Sequence, residues 1–388
     1  MAYYFLFPEI DTTLYSHPDR KETNAGSDEI LEIVKETDSD TGILHPSRII
    51  IKFKNEEIQD TISDTIGSSI FNDGTTKVNL QLTAAEPKNL LNTLNLELFA
   101  LSQSWDEGTG RYTNLPSSSN GASWRYRFNT IDATEWITSS FATGTTGSVS
   151  QSNHLTQGGG VWYTGSHLRS SEQYLVGQTL DTNFDVTTIV QAFSSSLFAG
   201  QTAPTGIINN GFLIKKPERI ENNISSSFGE LQYFSVDTHT IHPPKLTFRW
   251  DDSTFIDAAT GSIVNSNKDL NVTLYRNKKE FNQNDIATFR IHVRDKYPTR
   301  QFASSSNFLN TKYFSTSSCY SIRDAHTEQE IIPFDDNFTK ISADDESNFF
   351  KIYMKGLQPE RYYRILFKNQ DIFGTTIYDN NYFFKVIR

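Results

Sequence analysis

Leu94-Asn95-Leu96-Glu97-Leu98-Phe99-Ala100-Leu101 is the stretch that decides the fold class. Leu94, Leu96 and Leu98 alternate with Asn95 and Glu97, a period of two that sets the leucines on one face of a pleated strand. The same pattern extends outward in both directions. Val78, Leu80 and Leu82 alternate with Asn79 and Gln81, and Ile49-Ile50-Ile51-Lys52-Phe53 is a short, nearly continuous apolar run. Strand-like segments recur at 161–163, 212–214, 246–250, 272–275, 286–293, 349–354, 362–367 and 382–386. Helical signals are few. One short helix is predicted with Asp185 as its N-cap and Val186, Ile189, Val190 and Phe193 following, and a single turn over 86–91, interrupted by Pro87. Polar stretches rich in Ser, Thr, Asn and Gly separate the strands. The longest are 108–123 and 139–160, and the second ends in Gly158-Gly159-Gly160, which reads as a flexible loop. Many short strands with long polar loops predict an all-β sandwich or jelly roll.

A chain of 388 residues is long enough for two or three domains. The sharpest boundary follows His242-Pro243-Pro244, where the strand 246–250 gives way to Asp251-Asp252-Ser253. This places a first domain at 1–252, a connector at 253–267 and a second domain at 268–388. Aromatics reach 13%, with 28 Phe and 17 Tyr, against 36% for all hydrophobic residues, so the cores are expected to be built largely from rings. The balance of 35 Lys+Arg against 46 Asp+Glu leaves a net charge of −11 and no basic stripe, which argues against a nucleic-acid partner. The lone Cys319 allows neither an intramolecular disulfide nor a cysteine zinc site. No apolar run approaches the roughly 20 residues of a membrane span, so no membrane insertion is expected. The opening Met1-Ala2-Tyr3-Tyr4-Phe5-Leu6-Phe7-Pro8 lacks a basic leader region and does not read as a signal peptide. The expectation is a protein made in a cytoplasm and not exported by the ordinary secretory route.

Five segments resemble, in order, the DNRLRE-type (disaggregatase-related) β-sandwich modules. They are Asp11–Tyr15 with Thr23-Asn24-Ala25-Gly26-Ser27, then the Arg-bearing strand Ser47-Arg48-Ile49-Ile50-Ile51-Lys52-Phe53, then Ser104-Trp105-Asp106-Glu107-Gly108-Thr109. Asp185-Val186-Thr187-Thr188-Ile189 and Gly211-Phe212-Leu213-Ile214 complete the series. The resemblance covers most of 9–250. Phe193 stands where the family usually has Trp, and the loop 194–210 is expanded. In the second domain, Leu357-Gln358-Pro359-Glu360-Arg361-Tyr362-Tyr363 resembles the turn-and-strand of fibronectin-III or immunoglobulin-like sandwiches, where a Tyr locks the corner between sheets. The resemblance implies a jelly-roll-like β-sandwich followed by a smaller immunoglobulin- or fibronectin-III-like β-sandwich. Such modules occur on cell-surface proteins, polysaccharide-active enzymes and phage virions.

The chemistry-bearing residues favour no reaction. Asp106/Glu107, Asp251/Asp252, Asp335/Asp336 and Asp344/Asp345/Glu346 read as solvated turns, because neighbours on a strand point to opposite faces and cannot aim two carboxylates at one bond. Asp181-Thr182-Asn183-Phe184-Asp185 starts like an EF-hand loop but has Val186 in place of the Gly and Ala192 in place of the bidentate Glu. The eight histidines form no metal motif, and neither a nucleophile elbow nor a phosphate loop is present. No catalytic residue, cofactor or metal is therefore expected. Trp105 and Trp250 sit on strand-like segments and read as core. Trp124, Tyr126, Trp136, Trp162 and Tyr163 fall in or beside the long loops, where rings stack on sugars or bury in a core or interface. Trp124, Tyr126, Trp162 and Tyr163 are the candidate glycan or partner contacts. The leading expectation is a non-enzymatic structural protein of a tailed-phage virion (tail, baseplate, neck or capsid accessory), assembled in the host cytoplasm, whose partners are other virion proteins. The alternative is a carbohydrate-binding protein that recognises host surface polysaccharide.

Overall fold

The computed structural model describes residues 2–90, 93–114, 120–129, 133–136, 149–150, 158–175, 179–197, 206–256, 263, 269–275, 278–298, 311–371 and 374–388. Strands hold 45% of the described residues and helices 11%, so the protein is all-β. The chain divides into two compact units, Leu6–Thr247 and Phe248–Arg388, and Met1–Phe5 groups with the second. Most of the sequence-based connector, 257–262 and 264–267, lies outside the described residues, as do most of 139–160 and the part of the expanded loop at 198–205.

The first unit is built on an antiparallel sheet with strands in the order Arg169–Leu175, Thr93–Ala100, Phe212–Lys215, Leu44–Lys52 and Ile10–Tyr15; Lys35–Thr37 pairs with the start of Leu44–Lys52. Leu94, Leu96 and Leu98 are buried on one face, as their alternation requires. The opposite face is buried as well. Register places Leu213 beside both Ile50 and Phe99, and these three join Leu14, Leu101, Trp105, Trp124, Trp136, Val161 and Trp162 in a second apolar cluster. Polar loops carrying tryptophans thus roof the outer face of the sheet. Elsewhere in this unit Lys77–Leu82 pairs with Thr182–Asp185, and Leu231–Phe234 with Ile30–Ile33.

Three local expectations shift. The helix spans Thr187–Leu197, one residue later than expected, because Asp185 ends a strand; its carboxylate still accepts from the Thr187 N–H at 3.0 Å. No turn of helix forms at 86–90. Pro87 lacks an N–H, and the chain instead bridges Tyr233 at Ala84 and Glu230 at Lys88. Helical structure does occur at 55–71, where the sequence reading had none. Its signal is the spacing of Ile58, Ile62 and Ile66, all buried, on one side of the turns.

In the second unit, two sheets enclose one core. The first has the order Leu270–Tyr275, Ile286–Asp295, Asn348–Tyr353, Ser342–Ala343; the second has Glu280–Asn282, Gly374–Ile387, Tyr362–Asp371, Cys319–Asp324, Glu330–Ile332. Rings dominate between them: Tyr320 stacks on Phe350 at 4.3 Å, and Phe289 packs at 5.4 Å on both Phe350 and Phe384. Tyr363, not its exposed neighbour Tyr362, donates its hydroxyl to the Gln358 carbonyl at 2.9 Å, tying turn to strand. The edge strand Leu270–Tyr275 is closed by side chains, with Asn380 donating to the Val272 carbonyl and the Leu274 N–H donating to the Tyr382 hydroxyl. Burial pushes the Cys319 thiol up to about 12, which leaves it inert.

Candidate functional site

Arg48 and Ile50 are two apart on one strand, so both face the tryptophan roof. Arg48 is fully buried. Its guanidinium binds Glu221 through two parallel hydrogen bonds of 3.1 and 2.9 Å and donates to the Gly159 carbonyl at 2.7 Å. Trp124 lies 4.6 Å from it and Trp162 5.2 Å, so the cation is held between two rings. Lys215, two residues beyond Leu213 on the same face, reaches Glu221 and Glu97 at 3.6 Å each. Gly159 has φ +74°, and a Cβ there would lie 2.7 Å from the Arg48 guanidinium and 2.8 Å from the Trp124 ring. The middle of the triple-glycine run is therefore a fixed backbone element, contrary to the flexible loop expected from its composition.

This geometry corrects two of the candidate contacts. Trp124 is 0% exposed and Trp162 5%, leaving neither a ring face for an external ligand. Each is consumed by Arg48 and the apolar cluster. Trp136 is buried too, its indole donating to the Ser123 carbonyl at 2.9 Å, and Trp105 and Trp250 are core as expected. Tyr126 and Tyr163 are half-buried. The Arg125 guanidinium sits 5.1 Å from the Tyr126 ring, and Tyr163 packs on the edge of the tryptophan cluster.

The remaining loops are pinned by one asparagine. The Asn24 amide donates to the carbonyls of Glu107 (2.5 Å) and Ala122 (2.8 Å), and its oxygen accepts from the N–H groups of Gly26 (3.2 Å) and Gly110 (2.8 Å). Gly108, at φ +82°, passes so close that a Cβ would come 2.4 Å from the Asn24 oxygen. Glu107 is not the solvated turn residue expected of it. Its carboxylate accepts the Asp11 N–H at 3.0 Å, while that of Asp11 accepts the Val236 N–H at 2.7 Å. Burial raises Glu107 to about 7 and holds Asp11 well above the usual carboxylate range, their mutual repulsion adding to the shift on Asp11. The other acidic pairs do cap turns: Asp251 accepts from Ser253, Asp335 from Asn337, and Asp344 from Glu346 and Ser347.

The open concavity of this unit lies elsewhere. A cleft of about 690 Å³ adjoins one of about 420 Å³, and Glu36, Tyr112 and Thr113 line both. The Tyr112 phenol donates to Glu36, and its N–H to Asp28 at 2.9 Å. Arg20 lies 3.6 Å from the centre of the Tyr112 ring and 3.6 Å from Glu36, and Tyr15 packs beside the ring at 4.9 Å. Tyr15 in turn donates to Glu32 at 2.8 Å. Burial raises Asp28 above the usual carboxylate range. The second oxygen of Glu36 is buried without a hydrogen-bond partner. The sequence reading singled out none of Arg20, Glu36 and Tyr112. They come from three distant segments, and nothing local marks them as neighbours.

Among the described residues, no group of three or more His, Cys, Asp or Glu side chains is placed to hold a metal ion. Nor is any helix long and apolar enough to cross a membrane. No family model matches the sequence, and no curated protein matches it significantly.

Proposed function

We propose that the protein is a non-enzymatic structural component of a tailed-phage virion, assembled in the host cytoplasm, that docks on other virion proteins. On this reading the first unit is a DNRLRE-type jelly roll and the second an immunoglobulin- or fibronectin-III-like sandwich. The order of the motifs and the hydroxyl bond from Tyr363 to Gln358 support that assignment. The observation that carries the functional reading is the locking of the loops. Asn24 is saturated by four bonds to loop backbone, Arg48 holds the Gly159 carbonyl, and Glu107 is tied to the strand at Asp11. A surface ordered in advance loses little freedom when a partner arrives, which is what a permanent assembly contact needs. Loops are favoured over strand addition because side chains already occupy the Leu270–Tyr275 edge. Mass spectrometry of purified particles tests the proposal. Presence at a defined copy number is expected, and absence overturns it.

The polar lining of the larger cleft favours a second reading, recognition of host surface polysaccharide. The hydroxyl and amide groups of Thr37, Ser39 and Asn114 suit sugar hydroxyls, though Arg20 already covers a face of the Tyr112 ring. Wild-type protein on an array of host glycans is expected to bind, with Asn114→Ala about fivefold weaker, the loss of one neutral hydrogen bond. No binding by the wild type rejects this reading.

A further inference from the structure

Beyond Phe212–Lys215 the chain leaves the sheet, and its next strand, Leu231–Phe234, pairs with Ile30–Ile33 in a separate two-stranded sheet. The excursion carries the short helix Glu218–Glu221 and an exposed run at 222–227. One ammonium gathers it. Lys35 donates to the carbonyls of Ile220 at 2.7 Å, Asn223 at 2.6 Å and Ser226 at 3.2 Å. An ammonium has three donors, and these three acceptors use them all. The Lys35 amine lies 5.3 Å from the centre of the Phe228 ring, and the Lys216 amine lies 4.9 Å from the same point. Lys216 is 1% exposed, and its Nζ has no hydrogen-bond partner. Two amines therefore meet one ring in a buried place, and only one of them has acceptors. A second full charge there suffers both desolvation and repulsion.

We propose that residues 217–229 form a pH-sensitive strap, closed while Lys216 is neutral and released when Lys216 takes up a proton. Release carries the Phe228 ring and the three carbonyls away and exposes the amine to water. The other charges nearby stay paired. Lys215 is held by Glu221 and Glu97, Arg48 takes the other side of Glu221, and Glu218 and Arg219 are exposed on the helix. Burial lowers Lys216 to about 7; it also lowers Lys35, with the charge of Glu221 opposing.

The sign follows from the two states. A released Lys216 titrates near its ordinary value of about 10.4, so it is charged throughout the neutral range. Opening then takes up one proton between about pH 10 and pH 7, rises about tenfold for each unit by which pH falls, and levels off below 7. Hydrogen exchange reads this directly at Ile220, Glu221 and Asn222, whose N–H groups bond the Pro217 and Glu218 carbonyls. After correction for base-catalysed exchange, wild-type protection of these amides should fall about fiftyfold from pH 9 to pH 7. Lys216→Met should be flat over that range. A flat wild type, or a variant that follows the wild type, overturns the strap. Should Lys216→Met fail to fold, the side-chain resonance of Lys216 in the wild type decides: a midpoint near 7 supports the proposal, and one near 10 overturns it.

Discussion

Replacing Arg48 with Met should cost the first unit about 3–5 kcal/mol, the penalty for leaving a buried charge without its partner. Methionine fills much of the space between Trp124 and Trp162 but donates nothing. Glu221 is as fully buried as Arg48 and would keep only Lys215, at 3.6 Å. The Gly159 carbonyl would lose its donor as well. Urea unfolding followed by tryptophan fluorescence measures the loss as a lower midpoint at unchanged slope. The pair Arg48→Met with Glu221→Leu should recover most of the stability, because removing both charges removes the desolvation that burdened each. A single variant within about 1 kcal/mol of the wild type would show that the pair is not buried in solution.

Trp124→Ala is expected to lose about 3–5 kcal/mol by leaving a ring-sized cavity under the loops. The indole packs on Arg48, while the Trp124 backbone carbonyl, which alanine retains, accepts the Gly159 N–H at 2.6 Å. Tyr126→Ala, at a half-buried ring, should fall within about 1 kcal/mol. The contrast has a practical side. A loss of glycan or particle binding in Trp124→Ala would report unfolding rather than a lost contact, so the glycan-binding test belongs at Asn114 in the cleft lining. Equal, small effects of both substitutions would place Trp124 at the surface and return it to the candidate contacts.

Legibility varied with the range of the interaction. Alternation at Leu94, Leu96 and Leu98 and the apolar run at Ile49–Ile51 were readable because side-chain direction on a strand depends only on neighbours in the chain. The capping by Asp185 and the tyrosine bond at Tyr363 were readable for the same reason, within two and five residues. The helical stretch at 55–71 was hidden by its mixed polarity, since Ile58, Ile62 and Ile66 stand among charged and hydroxyl residues.

The sequence by itself determined that this protein is all-β with ring-rich cores, since pleat period and aromatic content are local properties. Only the tertiary structure decided what the loops and charges do. Whether Trp124 and Trp162 meet solvent depends on Arg48, and Arg48 is neutralised by Glu221 from 173 residues away. Arg20 and Tyr112, 92 residues apart, meet by the same kind of folding-dependent approach. A buried charge chooses its partner by burial and distance, which no local pattern encodes.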